Sequence, residues 1–101
     1  MIATKLITTD QQIHRNVAAN VITVGPIYIV NGSTSRRTFR LHQVSPGDSA
    51  VADNAMFYDA AIAPNSTIVL DMALALRPGD ALWARADATG VTIMLHGIYY
   101  A

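Results

Sequence analysis

The chain has no cysteine and no glutamate, and Lys5 is its single lysine. Without cysteine there is no disulfide framework and no thiolate metal site, which agrees with a reducing compartment or with a fold that needs no covalent staple. The missing glutamate and the near absence of lysine remove two strong helix formers, while isoleucine, valine and threonine are plentiful. Most helical folds are thereby excluded and an all-β domain is expected. Charge is scarce as well, at 14% of 101 residues, with seven lysines and arginines against seven aspartates. No basic run exists that would neutralise a phosphate backbone, so nucleic acid and anionic membranes are set aside as partners. No apolar run approaches the roughly 18 residues of a membrane-spanning helix. The opening MIATKLITTDQQIHR lacks the basic and then apolar pattern of a secretion signal, and synthesis in the cytoplasm is the expectation.

What the chain does have is apolar surface. Half of its residues are hydrophobic, a high proportion for a domain this small, whose surface-to-volume ratio asks for polar cover. Part of that surface is expected to be buried against copies of the same chain or against another protein. The length suits one domain, residues 1–101, with 1–16 as an N-terminal strand or arm.

Apolar periodicity and turn residues divide the chain into strands. Thr67–Leu76 alternates, with Ile68, Leu70, Met72, Leu74 and Leu76 on one face. Pro78-Gly79-Asp80 turns the chain into a strand where Leu82, Ala84 and Ala86 oppose Ala81, Trp83, Arg85 and Asp87. After Ala88-Thr89-Gly90, Val91, Ile93, Leu95 and Gly97 oppose Thr92, Met94, His96 and Ile98. Upstream, Val17–Val24 and Ile27–Val30 are separated by Gly25-Pro26. Asn31-Gly32 then reads as a hairpin loop. Arg36–Val44 puts Phe39 and Leu41 on one face against Arg40, His42 and Val44. Met56–Ala63 sets Phe57, Asp59 and Ala61 against Met56, Tyr58, Ala60 and Ile62. Ile2–Thr8 reads as an edge strand or arm, Thr9–Asn16 has no clear period, and Ser45–Asn54 is a long connection, with one helical turn within Ala50–Met56. The expectation is an antiparallel β-sandwich of about seven to eight strands with jelly-roll-like connectivity.

Catalytic chemistry finds few footholds. His14, His42 and His96 are far apart and lack metal-ligand spacing, so no metal is expected. Ser33, Ser35, Ser45, Ser49 and Ser66 lie in turn contexts, and no nucleophile-elbow motif surrounds them. Asp48 and Asp80 follow Pro-Gly and read as turn residues, while Asp71 faces outward. No phosphate loop is present. No enzymatic activity and no cofactor are expected. Two groups point to recognition instead. Arg36, Arg37 and Arg40 are the densest charge, suited to a solvated rim or to gripping acidic groups of a partner. Trp83 with Arg85 reads as an interface patch, or, with Tyr28, Tyr58 and Tyr100, as a sugar-stacking platform.

Taken together, a strand pair near the N-terminus with an asparagine ending its second strand, the Pro64-Asn65-Ser66-Thr67 turn, the apolar Ile68–Leu76 run, Pro78-Gly79-Asp80 with Leu82, and the closing Val91-Thr92-Ile93 strand ending at Gly97 resemble small β-sandwich virion proteins of tailed bacteriophages. The resemblance spans roughly Val17–Ile98 and rests on the order of these elements. It implies a non-enzymatic virion component, foremost a head decoration (cement) protein that assembles as a homo-oligomer, a trimer, on the major capsid protein. A tail, collar or fibre accessory is the alternative, and a carbohydrate-binding module for host glycans is the alternative from another class. The partner-binding candidates are Arg36, Arg37, Arg40, Trp83 and Arg85.

Overall fold

A computed structural model describes residues 2–71 and 73–100, Tyr100 through its backbone alone. Eleven strands and one short 3-10 turn follow one another: β1 (Ile2–Lys5), β2 (Gln11–Arg15), β3 (Ile22–Val24), β4 (Ile27–Asn31), β5 (Arg37–Val44), the turn η1 (Ala52–Asn54), β6 (Ala55–Ile62), β7 (Ser66–Leu70), β8 (Leu74–Leu76), β9 (Ala81–Ala86), β10 (Val91–Leu95) and β11 (Ile98–Tyr100). They pair in three antiparallel sheets ordered β1-β10-β4-β7, β11-β3-β8 and β2-β9-β5-β6.

The first two sheets continue one another. β10 runs into β11, β3 into β4 and β7 into β8, and in each sheet these partners sit in the same order. Leu95 pairs with Ile27 on one side of the break and Ile98 with Val24 on the other. The break itself is bridged by Gly25 N–H to Gly97 O at 3.0 Å and His96 N–H to Pro26 O at 3.0 Å. Pro26 cannot donate to a ladder, and the peptide before it is cis. Counting each interrupted pair as one strand leaves eight, four in each layer of an antiparallel β-sandwich. A single core joins the layers: Ile22, Val24, Ile27, Ile29, Leu76, Ile93 and Leu95 from one, Phe39, Leu41, Leu82 and Ala84 from the other, all at most 1% exposed.

Most of the expected strands exist, but their neighbours differ from a hairpin reading. β4 and β5 lie in different layers, so Asn31-Gly32 is an arch between sheets and not a hairpin, and neither residue has the positive φ that a tight Asn-Gly hairpin turn requires. The Asn31 side chain is fully buried and holds the arch. Its Nδ2 donates to Ser35 O, Ile62 O and Ala63 O at 2.8, 3.2 and 3.2 Å, and its Oδ1 accepts from Ser33 N and Ser33 Oγ at 3.0 and 2.7 Å. Asn16, after β2, does the same at another arch, donating to Asn20 O and Leu76 O at 3.0 and 2.9 Å and accepting from Ala18 N at 2.9 Å. Among the described residues β5 and β6 form the single hairpin between chain-consecutive strands, since every other passage changes layer or crosses the break.

Three further expectations need correction. The Thr67–Leu76 run is two strands, β7 and β8, because each must pair with a strand already interrupted at Gly25-Pro26; Met72 lies outside the described residues. Ile98, beyond the break at Gly97, packs toward the core and not outward. In β6 the alternation resets at a bulge, where Phe39 pairs with Ala60 but Leu41 with Phe57. Asp59 sits there at φ 53°, so Phe57, Ala60 and Ile62 all pack on the core. The N-terminal segment takes the edge-strand alternative: β1 edges one layer against β10, and the polar run Thr9–Asn16, which has no clear period, contains β2 at the edge of the other layer against β9.

The two Pro-Gly signals form the same turn. Asp80 N–H reaches Arg77 O at 2.9 Å and Asp48 N–H reaches Ser45 O at 3.1 Å. Gly79 and Gly47 have φ of 86° and 83°, as the third position of a type II turn demands. A Cβ on Gly79 would also lie 2.5 Å from the Pro46 ring, so the two turns pack against each other.

Candidate functional site

The two outer faces of the sandwich are chemically unlike. On the β1-β10-β4-β7 side, cross-strand pairs place Ala3, Met94, Tyr28 and Val69 in one row and Lys5, Thr92, Val30 and Thr67 in the next. Thr23, Ala75 and Tyr99 extend the face past the break. Lys5, at the edge, is the one formal charge in those rows. Val69 and Tyr99 are 52% and 64% exposed. His96 meets Tyr28 edge-on, with ring centroids 5.3 Å apart.

The outer face of the other layer carries the polar chemistry. Arg40 on β5 stands directly opposite Arg85 on β9, and one row along His42 stands opposite Trp83. Like charges facing across strands destabilise a sheet unless countered. The bulge supplies the counter-charge: Asp59, turned by its left-handed backbone, accepts from Arg40 Nε at 2.7 Å and Nη2 at 3.2 Å. The Arg40 guanidinium also lies 4.0 Å from the Tyr58 ring centroid. The hydrogen bonds from Arg40 hold the Asp59 carboxyl below the usual carboxylate range and raise the Arg40 guanidinium in turn. Arg85 is held far less firmly. Its Nε is 3.9 Å from Asp10 Oδ1, beyond hydrogen-bond reach, and that oxygen is buried without a partner. Beyond the arginines, Asp87 Oδ1 accepts from Thr38 N at 3.0 Å. Between β5, β9 and Thr8 the surface dips into a hollow of about 250 Å³, bordered by Thr8, Thr38, Arg40, Asp59, Arg85 and Asp87.

At the other end of this face the Ser45–Asn54 connection covers the sheet. Asn54 Oδ1 accepts from Val51 N at 3.1 Å and its Nδ2 donates to Ser49 O at 2.8 Å, which settles the orientation of the amide. His42 Nδ1, 2.9 Å from Asn54 Oδ1 and 3.0 Å from Val51 O, therefore donates. His42, on the outward register, is only 1% exposed because this loop lies over it. Its Nε2 and the Nε1 of Trp83 are both buried without a hydrogen-bond partner.

The structure brings together Arg40 and Arg85 from the sequence candidates, with Trp83 one row away. It separates Arg36 and Arg37 from them: Arg36 is exposed, and Arg37 donates to Thr89 O at 2.9 Å, tying the β9–β10 turn to the start of β5. The aromatic platform also divides, since Tyr28 lies on the opposite outer face and the Tyr100 side chain is outside the described residues. The three histidines stay apart, His14 opposite Leu82 and His96 against Tyr28. Among the described residues no group of three or more metal-ligating side chains converges. Ser33 and Ser66 spend their hydroxyls on turn carbonyls and Asn31. Asp10, Thr8 and the Arg40–Asp59 pair were absent from the sequence reading. Their one signal was two charges on strands joined by a long connection, and register decides whether such charges meet.

Comparisons of the chain with family models, curated proteins and solved structures find no match. The functional reading therefore stands on the sequence and on the geometry above.

Proposed function

We propose that the chain is a non-enzymatic, self-associating structural protein of a tailed-bacteriophage particle, foremost a head decoration protein that stabilises the assembled shell. The observation that carries the assembly part of this reading is the weakly charged outer face of the β1-β10-β4-β7 layer and its extension, where Lys5 at one edge and Asp71 near Tyr99 carry formal charge. Four strands about 4.8 Å apart and about 17 Å long, with three continuing past the break, give roughly 500 Å² per copy. Two copies would together cover roughly 1,000 Å², near the lower bound for a specific interface. The centre of this face, made of Ala3, Met94, Tyr28, Val69, Val30 and threonines, meets its own copy with little charge repulsion, since Lys5 stands at the edge. The arched connections and the strand order, 1-8-3-6 over 2-7-4-5 when interrupted strands count once, support a jelly-roll reading. That architecture recurs in viral capsid and lectin domains, an analogy of fold alone. The placement on a phage head rests on the sequence resemblance. Binding the shell but not its dissociated subunits would shift assembly by mass action, with several contacts per oligomer adding avidity.

Two measurements test the reading. Light scattering on the purified chain at micromolar concentration is expected to give an oligomer that Met94→Asp with Val69→Asp returns to monomer; a monomeric parent chain overturns self-association. Gold labelling of particles carrying the protein is expected over the head. Label confined to the tail overturns decoration in favour of a tail, collar or fibre role.

A further inference from the structure

We infer that the hollow between β5 and β9 binds one uncharged, hydroxyl-rich unit, a single monosaccharide of a glycan chain. The class of ligand follows from the charge and the unused hydrogen-bonding groups of its border. Arg40 and Arg85 are balanced by Asp59 and Asp87, and Asp10 behind Arg85 adds one further negative charge. No surplus of positive charge remains to hold a phosphate or carboxylate. No group of ligating side chains converges on a cation among the described residues. What the border does offer is donors next to acceptors, the requirement of adjacent sugar hydroxyls, each of which both gives and takes a hydrogen bond.

The donors are available. Arg40 spends Nε and Nη2 on Asp59, which leaves Nη1. Arg85 makes no hydrogen bond within the described residues, its nearest acceptor being Asp10 Oδ1 at 3.9 Å. On the acceptor side, Asp87 uses Oδ1 on the Thr38 amide and keeps Oδ2, and the Thr8 and Thr38 hydroxyls border the same space. The arrangement is also held in place beforehand. Arg40 is clamped by a two-pronged carboxylate and by the Tyr58 ring at 4.0 Å, and Thr38 by paired bonds with Asp87, so little ordering remains to oppose binding. A volume of about 250 Å³ lies just below the range of drug-sized sites and suits one small polar unit. The hollow is on the layer opposite the largely apolar face. Self-association through that face leaves it open, and the two proposals stand or fall separately.

The test is an amide-shift NMR titration of the full chain with glucose, galactose, N-acetylglucosamine and rhamnose in turn, each to about 50 mM, since a single sugar unit binds in the millimolar range. Glucuronate and inorganic phosphate serve as anionic probes. The expected result is a saturable shift by at least one neutral sugar at Thr8, Thr38, Arg85 and Asp87. Arg85→Ala and, separately, Asp87→Asn should each weaken it about fivefold or more with the rest of the spectrum unchanged. Three results overturn the inference: no saturable shift from any neutral sugar, equal affinity in both variants, or a stronger response to glucuronate or phosphate than to the neutral sugars.

Discussion

At the scale of single residues, two buried asparagines hold the arches that carry the chain between layers. Asn31 satisfies three carbonyls and two donors at one arch, and Asn16 two carbonyls and one donor at another. Removing such a side chain leaves carbonyls in a dry interior with no partner, which costs about 1–3 kcal/mol for each group left unpaired. Asn31→Ala is therefore expected to lower stability by about 2–4 kcal/mol in urea unfolding, and Asn31→Asp also, because a carboxylate cannot donate to Ile62 O. Exposed Thr34→Ala at the same arch should change little. A second residue-scale prediction concerns His14, on the inward register opposite Leu82, whose partial burial lowers its imidazole below the ordinary value. The unfolded chain then takes up the proton first as pH falls. His14 is thus expected to cost stability progressively from about pH 7 toward pH 5, and His14→Gln should flatten that part of a melting-temperature profile. An unchanged slope would show that other groups control it.

At the scale of elements, the Ser45–Asn54 connection and the β6 bulge are the parts that sequence periodicity could not place. From the sequence the connection is only a long irregular segment with one helical turn. In the fold, its η1 turn lies over the outer face of β5, held through the Asn54 amide and the His42 ring. Asn54→Ala or His42→Ala should release it, and hydrogen exchange at the Val51 and Asn54 amides is expected to rise by about tenfold or more, each tenfold being 1.4 kcal/mol of lost local stability. Exchange along β10 should stay unchanged, because the far layer shares no bond with the loop. At the bulge, one extra residue turns Asp59 toward Arg40 and restores Ala60 and Ile62 to the core. Strict alternation along Met56–Ala63 predicts the opposite faces for Ala60 and Ala61, and nothing local in the sequence announces the inserted residue.

At the scale of the whole molecule, the sandwich separates its chemistry by layer. One outer face is largely apolar, with its formal charges at the margin, and suited to a copy of itself. The other holds Arg40, Arg85 and their aspartates around a hollow. Met94→Asp and Arg85→Ala should accordingly act independently, the first changing mass in solution and the second changing sugar-dependent shifts, with the double variant showing both effects unaltered. Coupling between them would mean that the two faces are not the separate surfaces described above.

The all-β class, most strand segments, the two Pro-Gly turns and the alternation of β9 and β10 followed from the sequence alone. Each depends on short-range physics: the two-residue pleat, the φ of proline and glycine, and the scarcity of good helix formers. Which strands became neighbours was a tertiary matter. Asn31-Gly32 and Pro78-Gly79 satisfy their local geometry whether the chain folds back as a hairpin or arches to the other layer, and the choice falls to burial of both apolar faces in one core. The pairing of Arg40 with Asp59 and its apposition to Arg85 belong to the same decision. Those residues are distant along the chain, and only the register of β5 against β6 and β9 puts their charges on one face.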